Sequence, residues 1–152
     1  MNFINGVQIE LRLAMKARDK RRVNALKNIL ADVTYASKLG PMESMNDFSN
    51  VAMRGIKKRM ESIALFETAG RVDLAENERN EISIWKEFLP TELSENQLRE
   101  HINKAIESTG AKSVSDMGKI MKVLTGNLNP AEAPRSQLSK LLKEELTKRF
   151  SS

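Results

Sequence analysis

Apolar residues recur along this chain at the three- and four-residue steps of an α-helix. Val23, Leu26 and Leu30 follow this spacing, and similar rows return as far as the C-terminus. No segment shows the strict alternation of apolar and polar residues that is typical of a β-strand. Aromatic residues are few (one Trp, one Tyr and five Phe), whereas eight Met are present, which favours packing between helices. The sequence therefore predicts an all-α fold.

Glycine, proline and capping residues divide this helical pattern. Gly40 with Pro41, then Gly70, then Pro90 are typical stop signals, and Asp19, Asp47 and Asp73 are the expected N-caps. The predicted helices cover residues 9–38 with a break at Asp19, 50–69, 73–89, 95–108, 116–124 and 136–149. Their expected buried positions include Ile9, Leu13 and Ala17 in the first helix, Ile56, Met60 and Ile63 in the third, Trp85 in the fourth, and Met117, Ile120, Met121 and Leu124 in residues 116–124.

The clearest boundary is the run PTELSENQ, residues 90–97. A proline ends the preceding helix, and Ser94 with Gln97 three residues later has the pattern of a capping box. We expect a helical N-terminal domain over residues 1–90 and a small three-helix C-terminal domain over residues 91–152. Within the second domain, the link TGNLNPAEAPR at 125–135 is rich in Gly, Pro and Asn and is expected to be irregular.

The charges are unevenly distributed in a chain of net charge +5. Residues 1–40 contain eight Lys and Arg against three Asp and Glu, residues 71–93 contain three against six, and residues 94–152 contain ten against seven. This layout fits a phosphate-rich partner, but also the docking of one domain on another.

The residue types present exclude several kinds of site. There is no cysteine and His101 is the only histidine, so thiolate catalysis and histidine-pair metal sites are excluded. No serine-hydrolase, P-loop or dinucleotide-binding motif is found, and the acidic residues between 73 and 87 are interpreted as structural. We expect no catalytic residue, no metal and no cofactor. No apolar run approaches the roughly 20 residues of a membrane span.

The densest basic stretch is AMKARDKRR, residues 14–22. Cations beside the free amides of a helix N-terminus are placed to bind phosphate, and a cap at Asp19 would present such amides. Contact with RNA, a solvated face and docking on an acidic protein surface all remain open. The candidate RNA-binding residues here are Lys16, Arg18, Lys20, Arg21 and Arg22.

A second candidate is SVSDMGKIMKVL, residues 113–124, where a glycine lies just inside a predicted helix. Gly118 either lets a phosphate approach, with Lys119 and Lys122 beside it, or lets a neighbouring backbone pack closely. The packing explanation is favoured on the residues alone. All three residues are kept as candidate RNA contacts.

Three segments together resemble one family, the YqeY-like proteins. They are LRLAMKARDKRRVNALKNILADV (11–33), IKKRMESIALFETAGRVDLAENERNEISIWKEFLPTELSENQL (56–98) and GAKSVSDMGKIMKVL (110–124). Bacterial members usually carry a Gly-Arg-Ala-Asp-Gly-Lys-like segment before the last helix, where this chain has LNPAEAPRSQ. This departure makes the chain more similar to the fungal branch, the "altered inheritance of mitochondria" proteins.

The resemblance implies an all-helical, two-part fold and kinship with the glutamine-dependent aminoacyl-tRNA amidotransferase, whose B subunit ends in a related domain. In that complex the catalytic steps belong to other domains, and the tail domain is thought to contact tRNA. Carbon–nitrogen ligase activity with glutamine as amido donor is therefore implied by resemblance only. The expected partners are tRNA or another RNA, and amidotransferase subunits.

Three functional hypotheses follow, of which the least favoured is an enzyme that assists glutamine-dependent amidation. The first is a non-catalytic RNA-binding accessory module; the alternative is a mitochondrial protein-interaction module that does not bind nucleic acid, using a helical groove or the acidic surface of residues 73–87. A fungal-type member is expected in the mitochondrial matrix, with its presequence missing from this sequence, since no Arg or Lys precedes Arg12. A bacterial member would be cytoplasmic.

Overall fold

A computed structural model describes residues 3–150 of the 152-residue chain. Over this range every regular element is helical and none is a strand, which confirms the all-α prediction. The chain divides into two compact units, Met1–Leu89 (the N-terminal unit) and Pro90–Ser152 (the C-terminal unit). The helices are α1 Phe3–Lys16, α2 Lys20–Leu39, α3 Met45–Thr68, α4 Val72–Glu87, α5 Glu95–Thr109, α6 Met117–Asn127 and α7 Arg135–Phe150, with a 3₁₀ turn at Val114–Asp116.

The core of the N-terminal unit is built around a row of aromatic rings. Phe3 of α1 stacks on Phe48 of α3 with ring centroids 4.8 Å apart. The ring centroid of Phe48 lies 5.8 Å from that of Trp85 of α4. Leu26 and Ile29 of α2 are fully buried beside them. Trp85 has no exposed surface, which confirms its expected place in the core.

The C-terminal unit packs α5, α6 and α7 around an aliphatic core. Leu98, Ile102, Ile120 and Leu142 are almost completely buried there. The link before α7 is irregular over residues 128–134; the predicted irregular stretch 125–135 is wrong at both ends, because α6 continues to Asn127 and α7 begins at Arg135. The link is held in place by a hydrogen bond that the Leu93 backbone N–H donates to the Glu132 carbonyl at 2.8 Å.

Arg135 fixes the end of the same link. Its Nη2 donates to the carbonyls of Leu128 and Thr125, at 3.0 and 3.4 Å, and so satisfies acceptors at the C-terminus of α6. Partial burial lowers the pKa of Arg135. The segment by which this chain departs from the bacterial pattern is therefore part of the packed structure.

Several predicted helix ends are confirmed. The Asp19 carboxylate accepts the Arg22 backbone N–H at 3.1 Å, as an N-cap does. Ser94 and Gln97 form the predicted capping box. Gly70, the predicted stop, has a left-handed φ of 72° just past the end of α3, and Gly110 has a φ of 65° in the same position after α5.

Two predicted caps are wrong. The N-cap of α3 is Ser44. Asp47 is the third residue of the helix, and its carboxylate accepts a hydrogen bond from the Ser44 backbone N–H at 3.2 Å. As a result α3 begins five residues earlier than predicted, at Met45 rather than residue 50. The N-cap of α4 is Arg71, not Asp73, because the Asp73 carboxylate forms an ion pair with Arg71 instead of capping.

Two predicted buried faces are also wrong. Ile9 and Leu13 are 49% and 53% exposed, because α1 turns Phe3, Val7 and Ala14 towards its neighbours. In α3, Met60 is exposed and the adjacent Arg59 is buried. The spacing of apolar residues is compatible with more than one buried face on the same helix. Which face is buried depends on where the neighbouring helices pack.

Candidate nucleic-acid interface

The basic corner, residues 16–22, is the turn between α1 and α2. Its backbone is tight: the Ala17 N–H donates to the Leu13 carbonyl at 3.0 Å, and the Asp19 N–H donates to the Ala14 carbonyl at 3.1 Å. Arg18 has a φ of 58°, the left-handed region that a residue with a side chain enters at a cost of about 1–2 kcal/mol. The corner is thus a defined turn whose strained residue is one of the predicted RNA contacts.

Three cations of the basic corner have no ion-pair partner in the part of the chain that the structure describes. Lys16, Arg18 and Lys20 are all exposed, and none forms an ion pair with any residue between 3 and 150. They lie beside the first turn of α2, where backbone amides at the N-terminus carry a partial positive charge. This arrangement is suited to an anionic partner.

The other two cations of the corner are engaged inside the N-terminal unit. Both terminal nitrogens of Arg22 donate to the Glu87 carboxylate, at 2.8 and 3.0 Å, and Nη2 also reaches Glu10 at 3.2 Å. These contacts, with Glu87 first, raise the pKa of Arg22. Arg21 donates to the Glu76 carbonyl at 3.0 Å. Arg22 therefore joins α1, α2 and α4, a role that its place in a basic run does not indicate.

The other candidate residues lie in the C-terminal unit, in the first two turns of α6. Lys119 and Lys122 are exposed there. Ahead of them, the Asp116 carboxylate accepts the backbone N–H groups of Lys112 and Ser113, at 2.8 and 3.2 Å, and these bonds lower the pKa of Asp116. The basic corner belongs to the N-terminal unit and the start of α6 to the C-terminal unit.

Gly118 does not serve close packing. Apart from its chain neighbours and the adjacent backbone of α6 itself, a Cβ placed on it would meet no atom of the described residues within 4 Å, and the position is exposed. The packing explanation favoured from the sequence is therefore wrong. The inward side of α6 is as predicted: Ile120 and Leu124 are buried, and they point away from the face on which Gly118 lies.

The acidic stretch of residues 73–87 is largely neutralised by arginines of the same unit. These pairs are Asp73 with Arg71, Glu76 and Glu67 with Arg79, Glu81 with Arg59, and Glu87 with Arg22. Glu78 has no such partner among residues 3–150, and its partial burial together with the charge of Glu81 raises its pKa. Most of the acidic side chains in this stretch are therefore already paired within the unit.

Sequence reasoning missed Arg59. Its side chain is nearly buried, and it donates from Nε to Glu81 at 2.6 Å, from Nη2 to Asp32 at 3.0 Å and from Nη1 to the Gly55 carbonyl at 3.1 Å. The available signal was spacing: Ala52, Ile56 and Arg59 lie on one helical row. A cation on an apolar row indicates an internal ion pair.

Three further observations concern the histidine, membrane spans and metal sites. His101 is exposed, as expected. Between residues 3 and 150, no helix is long and apolar enough to cross a membrane, and no group of three or more His, Asp or Glu side chains is placed to hold a metal ion.

Comparison with known proteins places the chain in a family. The family model for YqeY-like proteins matches residues 5–146. An uncharacterised protein of Schizosaccharomyces pombe is 38% identical over 82 residues, which cover 53% of this chain and 67% of that protein. "Altered inheritance of mitochondria protein 41, mitochondrial" of Pyrenophora tritici-repentis is 27% identical over 133 residues, covering 83% of this chain and 73% of that protein. Both relatives are fungal, in agreement with the branch that the sequence resembled, and the chain belongs to the YqeY-like family.

Proposed function

We propose that this chain is a non-catalytic accessory module that binds RNA, with tRNA as its preferred ligand. The observation that carries the proposal is the group of three exposed, unpaired cations, Lys16, Arg18 and Lys20, at the N-terminus of α2. Arg and Lys contacts to phosphate dominate the affinity of proteins for nucleic acids. Family membership supports tRNA as the ligand through kinship with the amidotransferase tail domain.

The internal ion pairs sharpen the proposed contact. Arg22 is held by Glu87 and Glu10, so releasing it to bind phosphate would break contacts that stabilise the N-terminal unit. We assign the main phosphate contacts to Lys16, Arg18 and Lys20. Arg21 keeps donors beyond its one bond to Glu76 and contributes less.

A second phosphate contact is proposed in the C-terminal unit. Gly118, Lys119 and Lys122 share the exposed start of α6, and a glycine without close neighbours leaves the helix backbone open to a ligand. This surface can bind RNA independently of the basic corner.

We place the module in the mitochondrial matrix, with amidotransferase subunits as protein partners. The support is the relative from Pyrenophora tritici-repentis, whose name is mitochondrial, together with the family relationship. Imaging of the tagged full-length protein tests the location, and nuclease-resistant copurification of amidotransferase subunits tests the partnership.

The RNA proposal is tested by filter binding of tRNA across a range of salt concentrations. For the protein as it stands, the logarithm of the binding constant should fall linearly with the logarithm of salt concentration. Substituting Lys16, Arg18 and Lys20 together by Ala should weaken binding and reduce the magnitude of the slope by about 2–3, since each phosphate contact contributes about 0.7–0.9 to it.

A matched control removes the same charge elsewhere. Substituting Lys27, Lys57 and Lys86 by Ala also deletes three exposed cations of the N-terminal unit, which have no ion-pair partner among the described residues. For this control variant, the slope of the logarithm of the tRNA-binding constant against the logarithm of salt concentration should stay close to that of the unmodified protein. Equal losses in both variants, or no tRNA binding at low salt, would overturn the proposal. Glutaminase or transamidation activity of the purified chain would overturn its non-catalytic part.

A further inference from the structure

A groove opens between the C-terminal half of α2 and the first half of α3, away from the basic corner. It has a volume of about 670 Å³, and its lining includes Tyr35 and Leu39 of α2, Met42 of the connecting loop, and Val51, Arg54 and Lys58 of α3. Tyr35 and Leu39 are 66% and 73% exposed. Large apolar side chains that line an open concavity are typical of a binding surface.

The acidic residues of the groove are already engaged. Asp32 is held by Arg59 at 3.0 Å, and Asp47 accepts the backbone N–H groups of Glu43 and Ser44, each at 3.2 Å. These amides, that of Ser44 first, lower the pKa of Asp47. In contrast, Arg54 and Lys58 are exposed and have no ion-pair partner among residues 3–150. The Asp47 carboxylate stays charged and has no ion-pair partner among residues 3–150, so two unpaired cations stand against one unpaired carboxylate and the net unpaired charge of the groove is positive.

The two walls present matching rows. Tyr35 and Leu39 are four residues apart on α2, and Arg54 and Lys58 are four residues apart on α3, so each pair lies on one helical face. An apolar row opposite a cationic row is complementary to a helix that carries an apolar stripe flanked by carboxylates at the same spacing. Aliphatic lining with a single aromatic ring suits such side chains better than it suits stacked bases.

We propose that this groove binds an acidic amphipathic α-helix of a partner protein. The leucine and valine side chains receive the apolar stripe, while Arg54 and Lys58 pair with its carboxylates. Tyr35 supplies apolar area from its ring and a hydroxyl that can donate to the partner. This interaction is independent of the proposed RNA contacts, since no lining residue belongs to the basic corner or to α6.

Display selection provides the test. A library of random 16-residue peptides is selected on the full chain and depleted on the Leu39→Glu variant, in which a carboxylate enters the apolar row. The enriched sequences should have apolar residues at helical spacing next to Asp or Glu. A fluorescein-labelled synthetic copy of an enriched peptide is then titrated by fluorescence anisotropy. Leu39→Glu and Arg54→Glu should each weaken binding by at least about tenfold, because a repulsive carboxylate replaces a favourable contact.

Matched variants exclude a general surface effect. Leu65 of α3 is 71% exposed, almost as much as Leu39, but lies outside the groove, and Lys57 is an exposed cation next to Lys58 that does not line it. Leu65→Glu and Lys57→Glu should therefore leave peptide affinity within about twofold. All these positions are exposed, so circular dichroism should show unchanged helicity.

Several results would overturn the proposal: no peptide enriched over the Leu39→Glu variant, enriched peptides without acidic residues, or equal losses in the control variants. Displacement of the peptide by oligo(U) that depends on Tyr35 would assign the groove to RNA instead. Self-association that Leu39→Glu abolishes, measured by sedimentation, would assign it to a second copy of the chain. The tRNA affinity of Leu39→Glu should be unchanged, which separates this test from that of the proposed function.

Discussion

The guanidinium of Arg59 lies over the indole ring of Trp85, with its Cζ 5.8 Å from the ring centroid. The same group forms ion pairs with Glu81 of α4 at 2.6 Å and with Asp32 of α2 at 3.0 Å. Burial opposes its charge, but the hydrogen bonds that the guanidinium donates to the Glu81 and Asp32 carboxylates outweigh burial and raise the pKa of Arg59. One cation of α3 thus holds three helices of the N-terminal unit together.

Replacing Arg59 by Met should destabilise the protein. Glu81 is only 14% exposed at its side chain and would lose its cationic partner, and breaking such a pair from one side costs about 3 kcal/mol. Urea denaturation followed by circular dichroism measures the change. Arg54→Met, at an exposed position of the same helix, should stay within about 0.5 kcal/mol. A similar loss in both variants would show that the buried ion pairs contribute nothing specific.

Two helical glycines should respond to alanine in opposite ways. Alanine favours a helix over glycine by up to about 1 kcal/mol, so Gly118→Ala, which meets no neighbour within 4 Å, should raise stability by roughly 0.5 kcal/mol near a helix end. At Gly55 the new Cβ would lie 3.1 Å from Arg59 Nη1 and 3.5 Å from Trp85 Cζ2. Arg59 also forms ion pairs with Glu81 and Asp32 and lies over the Trp85 ring, so its side chain is not free to move away from the new methyl group. Gly55→Ala should therefore lower stability.

Thermal unfolding of the two glycine variants decides this. A higher melting temperature for Gly55→Ala would mean that the Arg59 side chain can move away from the new methyl group. Filter binding of tRNA to Gly118→Ala adds a functional readout: weaker binding together with unchanged or higher stability would identify the start of α6 as a phosphate-binding turn. Unchanged tRNA affinity would contradict the role proposed for this glycine.

Arg18→Gly should separate stability from RNA binding. Glycine adopts the φ of 58° at this position without the steric cost that arginine incurs, so unfolding should require about 1 kcal/mol more free energy. The same substitution removes a proposed phosphate contact and should weaken tRNA binding. Denaturation and filter binding on one sample test both effects. A more stable variant with full tRNA affinity would remove Arg18 from the interface.

Asp116 should make stability depend on acidic pH. Its pKa is lowered in the folded protein by hydrogen bonds from the Lys112 and Ser113 amides, so its contribution is fully present above the ordinary value of 3.8. That contribution is lost as the pH falls through the lower pKa of the folded state. Asp116→Asn should therefore reduce the melting temperature at pH 7, and the difference from the unmodified protein should narrow at low pH.

A matched carboxylate provides the comparison for Asp116. Glu107 is exposed on α5, and its side chain has no hydrogen-bond partner among the described residues. Glu107→Gln should leave the melting temperature nearly unchanged at pH 7. If Asp116→Asn shows the same difference at pH 7 and at pH 3, the charged form of Asp116 is not what stabilises the turn.

Local chemistry made much of the fold predictable. The all-α class and the caps at Asp19 and Ser94 depend on interactions within a few residues, and so do the left-handed glycines after α3 and α5. Such interactions can be recognised from sequence spacing alone. The motifs that identify the family lie in these same segments, which is why the amino-acid sequence alone carries the resemblance.

What the sequence by itself determined was therefore the type and order of the helices, the density of positive charge near residues 14–22, and the family. Tertiary structure decided which stripe of each helix is buried and which charges remain unpaired. Arg22 and Arg18 are equally basic in sequence, yet one is fixed by Glu87, 65 residues away, and the other is free among the described residues. The physical reason is that an ion pair depends on distance in space, which helix packing sets and local spacing does not.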